Sequence, residues 1–125
     1  MIVGLGLDVV ELDRIERVLS RFGDRFLRRV LTENERARVP KKSSAAFIAA
    51  RFAAKEAAAK ALGTGFRQGV GFHTLEVRKF PSGKPEMVFF GPARALCEKM
   101  GVTSVHLSMT HGRDVASAVV ILEAL

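Results

Sequence analysis

The sequence predicts an α+β domain, and three observations carry that expectation. The stretch Arg51–Gly65, RFAAKEAAAKALGTG, is helical by composition, because alanine loses no side-chain entropy in a helix. Apolar residues alternate over Ile2–Val10 and Val105–His111 and crowd Val115–Leu122, which are strand patterns. Strands and helices follow one another in mixed rather than strictly alternating order, which favours α+β over α/β. With 125 residues and a hydrophobic fraction of 48%, the chain makes one domain, 1–125, with ample material for a core.

The central helix is expected to begin near Ala45, capped by Ser43 or Ser44, and to close at Gly63 and Gly65 through left-handed turns. On a helical wheel, Ile48, Phe52, Ala59 and Leu62 form an apolar stripe with Glu56 at its edge. In the first strand, Ile2, Gly4, Gly6, Asp8 and Val10 share a face opposite Val3, Leu5, Leu7 and Val9. The two glycines suggest open space beside Asp8, as a ligand needs, or else close backbone packing. Leu12–Phe22 reads as an amphipathic helix with Leu12, Ile15, Val18, Leu19 and Phe22 inward and Arg14, Arg17 and Arg21 outward. Those arginines lack a matching acidic stripe, and Asp13 and Glu16 offset them only in part.

Gly23 ends that helix, and Asp24 is placed to cap a short one running to Leu31. Thr32-Glu33-Asn34-Glu35 fits a capping box, and Lys41-Lys42-Ser43-Ser44 forms a polar loop. Beyond the glycine-rich connection Phe66–Phe72, Thr74–Phe80 and Glu86–Phe90 form a hairpin across Pro81-Ser82-Gly83-Lys84-Pro85. Gly91-Pro92 opens a helix that Gly101 stops. In the strand after it, Val105, Leu107 and Met109 oppose a polar face of His106, Ser108 and Thr110. The last strand lies antiparallel to it across Gly112-Arg113-Asp114.

A net charge of +7 predicts an anionic partner: nucleic acid, a phosphorylated small molecule or an acidic protein. The absence of Trp and Tyr disfavours recognition of single strands by base stacking. Zinc-spaced Cys/His pairs and a G-x-x-x-x-G-K-[ST] phosphate loop are both missing. Cys97 stands alone, so no internal disulfide forms. With no bilayer-length apolar run and no basic n-region of a signal peptide in MIVGLGLD, a cytoplasmic location is the expectation. Glu56 and Lys60, four residues apart, form either a surface ion pair of the common kind or part of a phosphate-binding helix end with Gly63, Thr64 and Gly65.

Four segments together resemble one family: GLGLDVVELDRIE, RFAAKEAAAKALGTG, SGKP and VHLSMTH. In motif order and over its whole length the chain is similar to the holo-acyl-carrier-protein synthases, the small bacterial class of 4′-phosphopantetheinyl transferase. The resemblance implies that fold, an antiparallel sheet packed against a long central helix. It also implies magnesium-dependent transfer of 4′-phosphopantetheine from coenzyme A to a serine of apo acyl carrier protein, in fatty acid biosynthesis. Asp8 and Glu56 match the family's metal-binding acids, and Lys60 the lysine that meets the coenzyme A phosphates. Glu56, directly or through a metal-bound water, is the expected general base. His106 and His111 match positions near the nucleotide, Arg51, Gly63, Thr64 and Gly65 the phosphate pocket, and Gly83, Lys84 and Pro85 the adenine side. Arg14, Arg17 and Arg21 match the basic helix that grips the carrier protein, and the family forms homotrimers with active sites shared between subunits. A transferase serving polyketide or peptide synthase carrier domains is the nearest alternative. A small basic nucleic-acid-binding protein is the alternative from another class, but it leaves Asp8, Glu56 and Lys60 without a task.

Overall fold

A computed structural model describes all residues from Met1 to Leu125. In chain order, β1 (Ile2–Glu11), α1 (Leu12–Phe22), α2 (Asp24–Val30) and α3 (Glu33–Arg36) precede α4 (Ser44–Leu62). After α4 come a 3₁₀ turn (Phe72–Thr74), β2 (Leu75–Lys79), β3 (Pro85–Phe89), α5 (Gly91–Met100), β4 (Val102–His111) and β5 (Val115–Ala124). The α+β expectation holds, with most boundaries within one or two residues of those read from the sequence.

Helix α4 is the spine. Its alanines, from Ala49 to Ala61, are buried, and so are Arg51 and Lys55. The stripe read from the wheel, Ile48, Phe52, Ala59 and Leu62, is covered as expected, but burial extends round the other sides of the helix as well. The sheet, α1, α5 and β2 all lie against the helix, and alanine is too small to mark which sides they cover. The helix starts after Ser43, whose backbone is left-handed at φ 58 and whose hydroxyl does not cap it, contrary to expectation. It ends at Gly63, left-handed at φ 82 as expected. Gly23, not Asp24, holds the cap position of α2, and Asp24 sits in its first turn. The capping box at Thr32 and Glu35 forms as read.

Strands β1, β5 and β4 form an antiparallel sheet in that order, and β2 pairs with β3 as a separate hairpin. Rows across the sheet run Gly6–Val120–Leu107 and Asp8–Ala118–Met109 on the face toward α4, alternating with Leu5–Ile121–His106 and Leu7–Val119–Ser108 on the other. Of the two readings of Gly4 and Gly6, close backbone packing holds, and the space above them is filled by α4. A Cβ on Gly4 would stand 2.2 Å from the carbonyl oxygen of Ala61, and one on Gly6 1.8 Å from that of Ala57. The glycines let the helix backbone rest on the strand backbone, and Asp8 follows on the same face.

The far face of the sheet is left bare. Leu5, Leu7 and Val9 are 62%, 61% and 58% exposed, with no element of the chain over them. In α5, Cys97 is buried, and burial together with Glu98 pushes its thiol up to about 11. No helix is long and apolar enough to cross a membrane.

Candidate active site

The close approach of α4 to β1 sets Lys60 over the end of the glycine pair. Its Nζ donates to Asp8 Oδ1 at 3.0 Å and to the Leu7 carbonyl oxygen at 2.9 Å. The helical Glu56–Lys60 pair weighed from spacing is not made, because Lys60 reaches across to the strand instead. Asp8 is largely covered, its side chain 16% exposed. Glu56 is half-buried beside it, and burial, then the charge of Asp8, raise its carboxyl above the usual carboxylate range. Lys60 and Arg14 offset this only in part.

Two carboxylates held this close favour a cation between them. Their oxygen donors suit a hard ion such as magnesium, which takes one or two carboxylates and fills its shell with water and phosphate oxygens. No third acidic, histidine or cysteine side chain joins them. The donor set therefore fits magnesium bound with a phosphorylated ligand, and does not fit an all-protein cage.

A second group forms at the other edge of the sheet, around the start of α4. Arg51 is only 6% exposed, and its guanidinium lies 3.7 Å from the centre of the Phe47 ring. Burial lowers its affinity for its proton. No carboxylate closes an ion pair with it. It lines a cavity of about 320 Å³ with His111, Lys79, Ser43 and Thr110. A desolvated guanidinium without a carboxylate partner is ready for an anion. Lys79 was missed in the sequence, where it falls within the Thr74–Phe80 strand with no role assigned to it. Because Lys79 is the cross-strand partner of Pro85, the segment Gly83–Lys84–Pro85 lies beside this cavity.

Gly63, Thr64 and Gly65 form the loop closing α4, one turn past Lys60. The Thr64 hydroxyl donates to the Gly65 carbonyl, and open space surrounds both glycines. The structure separates the two histidines. His111 shares the α4 side of the sheet with Asp8, whereas His106 lies on the bare face and pairs with Glu123.

On α1, the guanidinium of Arg14 lies 5.9 Å from the Phe52 ring centre, on the Glu56 side of the helix. Arg17 pairs with Asp13 at 3.2 Å in the open, and Arg21 stacks on Phe22 at 5.2 Å. Phe22 is 43% exposed rather than in the core as expected. With Val18, Phe26, Val30, Phe52 and Phe72 it lines an apolar cavity of about 330 Å³, flanked by Arg25 and Arg29. The wheel of α1 pointed Phe22 inward but could not show that α2 leaves this gap.

The family model of the 4′-phosphopantetheinyl transferase superfamily matches residues 4–120. The chain belongs to that superfamily. A holo-[acyl-carrier-protein] synthase of Solidesulfovibrio magneticus is 60% identical over 98% of this chain and 99% of its own. The synthase of Maridesulfovibrio salexigens is 53% identical over the same shares. Among solved structures, the synthase of Neisseria meningitidis superposes with a TM-score of 0.89 at 42% identity, covering 98% of this chain and 99% of that one. The Bacillus anthracis synthase, solved in complex with CoA (3′,5′-ADP), gives 0.83 at 41% identity over 100% and 99%. The fold is thus the phosphopantetheinyl transferase fold. Both candidate groups, Asp8–Glu56–Lys60 and Arg51–His111–Lys79, lie within the stretch that defines the superfamily.

Proposed function

We propose that this chain transfers the 4′-phosphopantetheine group of coenzyme A to a serine of apo acyl carrier protein, leaving 3′,5′-ADP. The observation that carries the proposal is the convergence of Asp8, Glu56 and Lys60 where α4 meets β1, in a chain related over its whole length to holo-acyl-carrier-protein synthases. Asp8 and Glu56 would hold magnesium, which when bound supplies positive charge against the diphosphate. Lys60 binds the diphosphate oxygens and stabilises the negative charge that grows on the departing 3′,5′-ADP. Arg51, His111 and Lys79 grip further phosphate charge of the nucleotide, with Gly83, Lys84 and Pro85 toward the adenine and Gly63, Thr64 and Gly65 shaping the diphosphate side.

In the chemical step the serine oxygen bonds to the β-phosphorus as the bond from that phosphorus to the bridging oxygen breaks. The serine proton passes to the Glu56 carboxylate. A carboxyl raised above its usual range is a better base near neutral pH than an ordinary one.

A homotrimer is part of the proposal. The bare face of Leu5, Leu7 and Val9 is more apolar surface than a lone domain ordinarily leaves to water. The metal group and the Arg51 group lie toward opposite edges of the sheet. Subunits meeting through this face can bring one chain's β1 edge to the next chain's β4 edge, with His106 inside the contact. Assembly in the cytoplasm, in the service of fatty acid synthesis, accords with the coenzyme A substrate and a lone buried thiol.

The test is mass spectrometry of apo acyl carrier protein incubated with the chain, coenzyme A and magnesium. The carrier should gain one phosphopantetheine, and only when magnesium is present. An unchanged carrier mass would refute the proposal, and parallel incubation with polyketide or peptide synthase carrier domains reads the specificity.

The basic face of α1 is proposed to dock the acidic carrier beside the apolar cavity. Arg14 is too close to Glu56 to report on docking alone, so Arg17 and Arg21 are the reporters. Reversing both to Glu should raise the KM for carrier about tenfold or more and flatten its salt dependence, since complementary charge chiefly speeds encounter. The KM for coenzyme A should not move. A carrier KM equal to that of the wild type would remove α1 from the interface.

A further inference from the structure

Lys55, the neighbour of Glu56, is fully buried at 0% exposure and plays no part in the chemistry described above. Its ammonium spends all three protons on different elements. It donates to the Val30 carbonyl at the end of α2 at 2.8 Å, to Glu35 Oε1 on α3 at 2.6 Å and to the Phe72 carbonyl in the 3₁₀ turn at 2.9 Å. Glu35, 1% exposed, also accepts from the Thr32 amide and, through Oε2, from the Val77 amide of β2, both at 2.8 Å. Lys55 therefore ties α4 directly to three other elements, and through Glu35 to a fourth, β2.

Two of those anchors have a second role. Val30 and Phe72 line the apolar cavity beside α1, together with Phe52, three residues before Lys55. On a helix, fixing one side chain at three points fixes the rotation of its neighbours. The grip on Lys55 decides at once that Phe52 faces the cavity and that Glu56 faces Asp8. Stability alone does not call for a buried ion pair, because apolar residues of similar volume often serve equally well.

We propose that Lys55 is a positioning residue for transfer, holding Glu56 at its working angle and in register with the wall of the apolar cavity. This rests on the catalytic role given to Glu56 above. Lys55 touches no reacting atom. Its loss should therefore lower kcat and leave binding of coenzyme A, held by Lys60 and Arg51 on long side chains, nearly intact. Misplacement by about 1 Å at a reacting centre is worth on the order of 10²-fold in rate.

The experiment uses the full chain carrying Lys55→Met with Glu35→Gln, which removes both charges together so that neither is buried alone. The core variant Leu75→Ala, which touches none of the lysine's bonds, serves as a control of reduced stability. Expected are a kcat per folded molecule lower by about 10²-fold in the double variant, a KM for coenzyme A within about threefold of wild type, and an unchanged kcat in Leu75→Ala. If the double variant does not fold, Glu35→Asp retains the charge but shortens its reach, and the same split between kcat and KM is expected at about tenfold. Wild-type kcat in the folded variant, or an equal loss in Leu75→Ala, overturns the proposal. A Glu56→Gln arm separates the two levels: if that variant stays active, the role of Glu56 fails, and the positioning of it fails as a consequence.

Discussion

Glu56→Gln is expected to lose transfer by on the order of 10³-fold while the folded chain becomes no less stable. A positioned general base contributes roughly 10²–10⁴-fold to rate, and the amide can neither take the serine proton nor serve as a charged metal ligand. Asp8→Asn should fall as far by the second route alone, and it also deprives the Lys60 ammonium of its carboxylate partner. The stability half of the expectation follows from the direction in which Glu56 is shifted. Burial and Asp8 raise its folded-state carboxyl, so the fold prefers the protonated form. The stabilisation this gives is present below the ordinary carboxylate range and is lost as pH rises through the raised value. At neutral pH the ionised Glu56 is therefore a burden on the fold, and a neutral amide of the same shape relieves it. Thermal unfolding at pH 7 should give Glu56→Gln a Tm equal to or above that of the wild type, with the difference closing in acid. A Tm lowered at pH 7 would mean that Glu56 is a structural carboxylate. Transfer at the wild-type rate at ordinary magnesium would remove it from the reaction.

Gly6→Ala is expected to be the most damaging single methyl group that can be added to this chain away from the reacting groups. Its Cβ would fall 1.8 Å from the Ala57 carbonyl oxygen and 2.7 Å from the carbonyl carbon. Both are backbone atoms of the central helix, so no rotamer change relieves the clash, and β1 and α4 must part. Overpacking commonly costs about 1–3 kcal/mol, and a backbone-to-backbone contact belongs at or above the top of that range. For a domain of this size that is a loss of roughly 10 °C in Tm. Gly112→Ala is the matched control, because a Cβ there meets nothing within 4 Å and its backbone is not left-handed. Since Lys60 reaches Asp8 only across the same contact, the surviving folded Gly6→Ala should also bind coenzyme A less well. Equal Tm values for the two variants would show that the strand and helix are not held at this spacing.

Much of the fold was legible because it is written in local chemistry. Strand alternation, the Thr32–Glu35 capping box and the left-handed close at Gly63 each need only a few neighbouring residues, and each is found. Even the separation of the histidines was available, since His106 falls on one parity of its strand and His111 on the other. The candidate site was legible as residue types rather than as geometry. Spacing along a helix suggested Glu56 as the partner of Lys60, because nothing in the sequence says that Gly4 and Gly6 bring a strand within its reach. The burial of Arg51 was equally hidden, as it depends on Phe47 and on a cavity wall contributed by β2 and β4. Alanine is at the root of both gaps. A helix made largely of alanine can be approached from any side, so its sequence does not say from which sides it is approached.

The buried thiol of Cys97 bears on the company this chain is proposed to keep. Coenzyme A ends in a thiol, and an enzyme that handles it meets both the free thiol and its oxidised disulfides. Exchange begins with a thiolate, and a cysteine pushed up to about 11 holds only about one part in 10⁴ as thiolate at neutral pH. Buried within α5, Cys97 can neither attack an oxidised substrate nor be capped by one. The chain can therefore work in a pool of its own thiol substrate without becoming covalently joined to it.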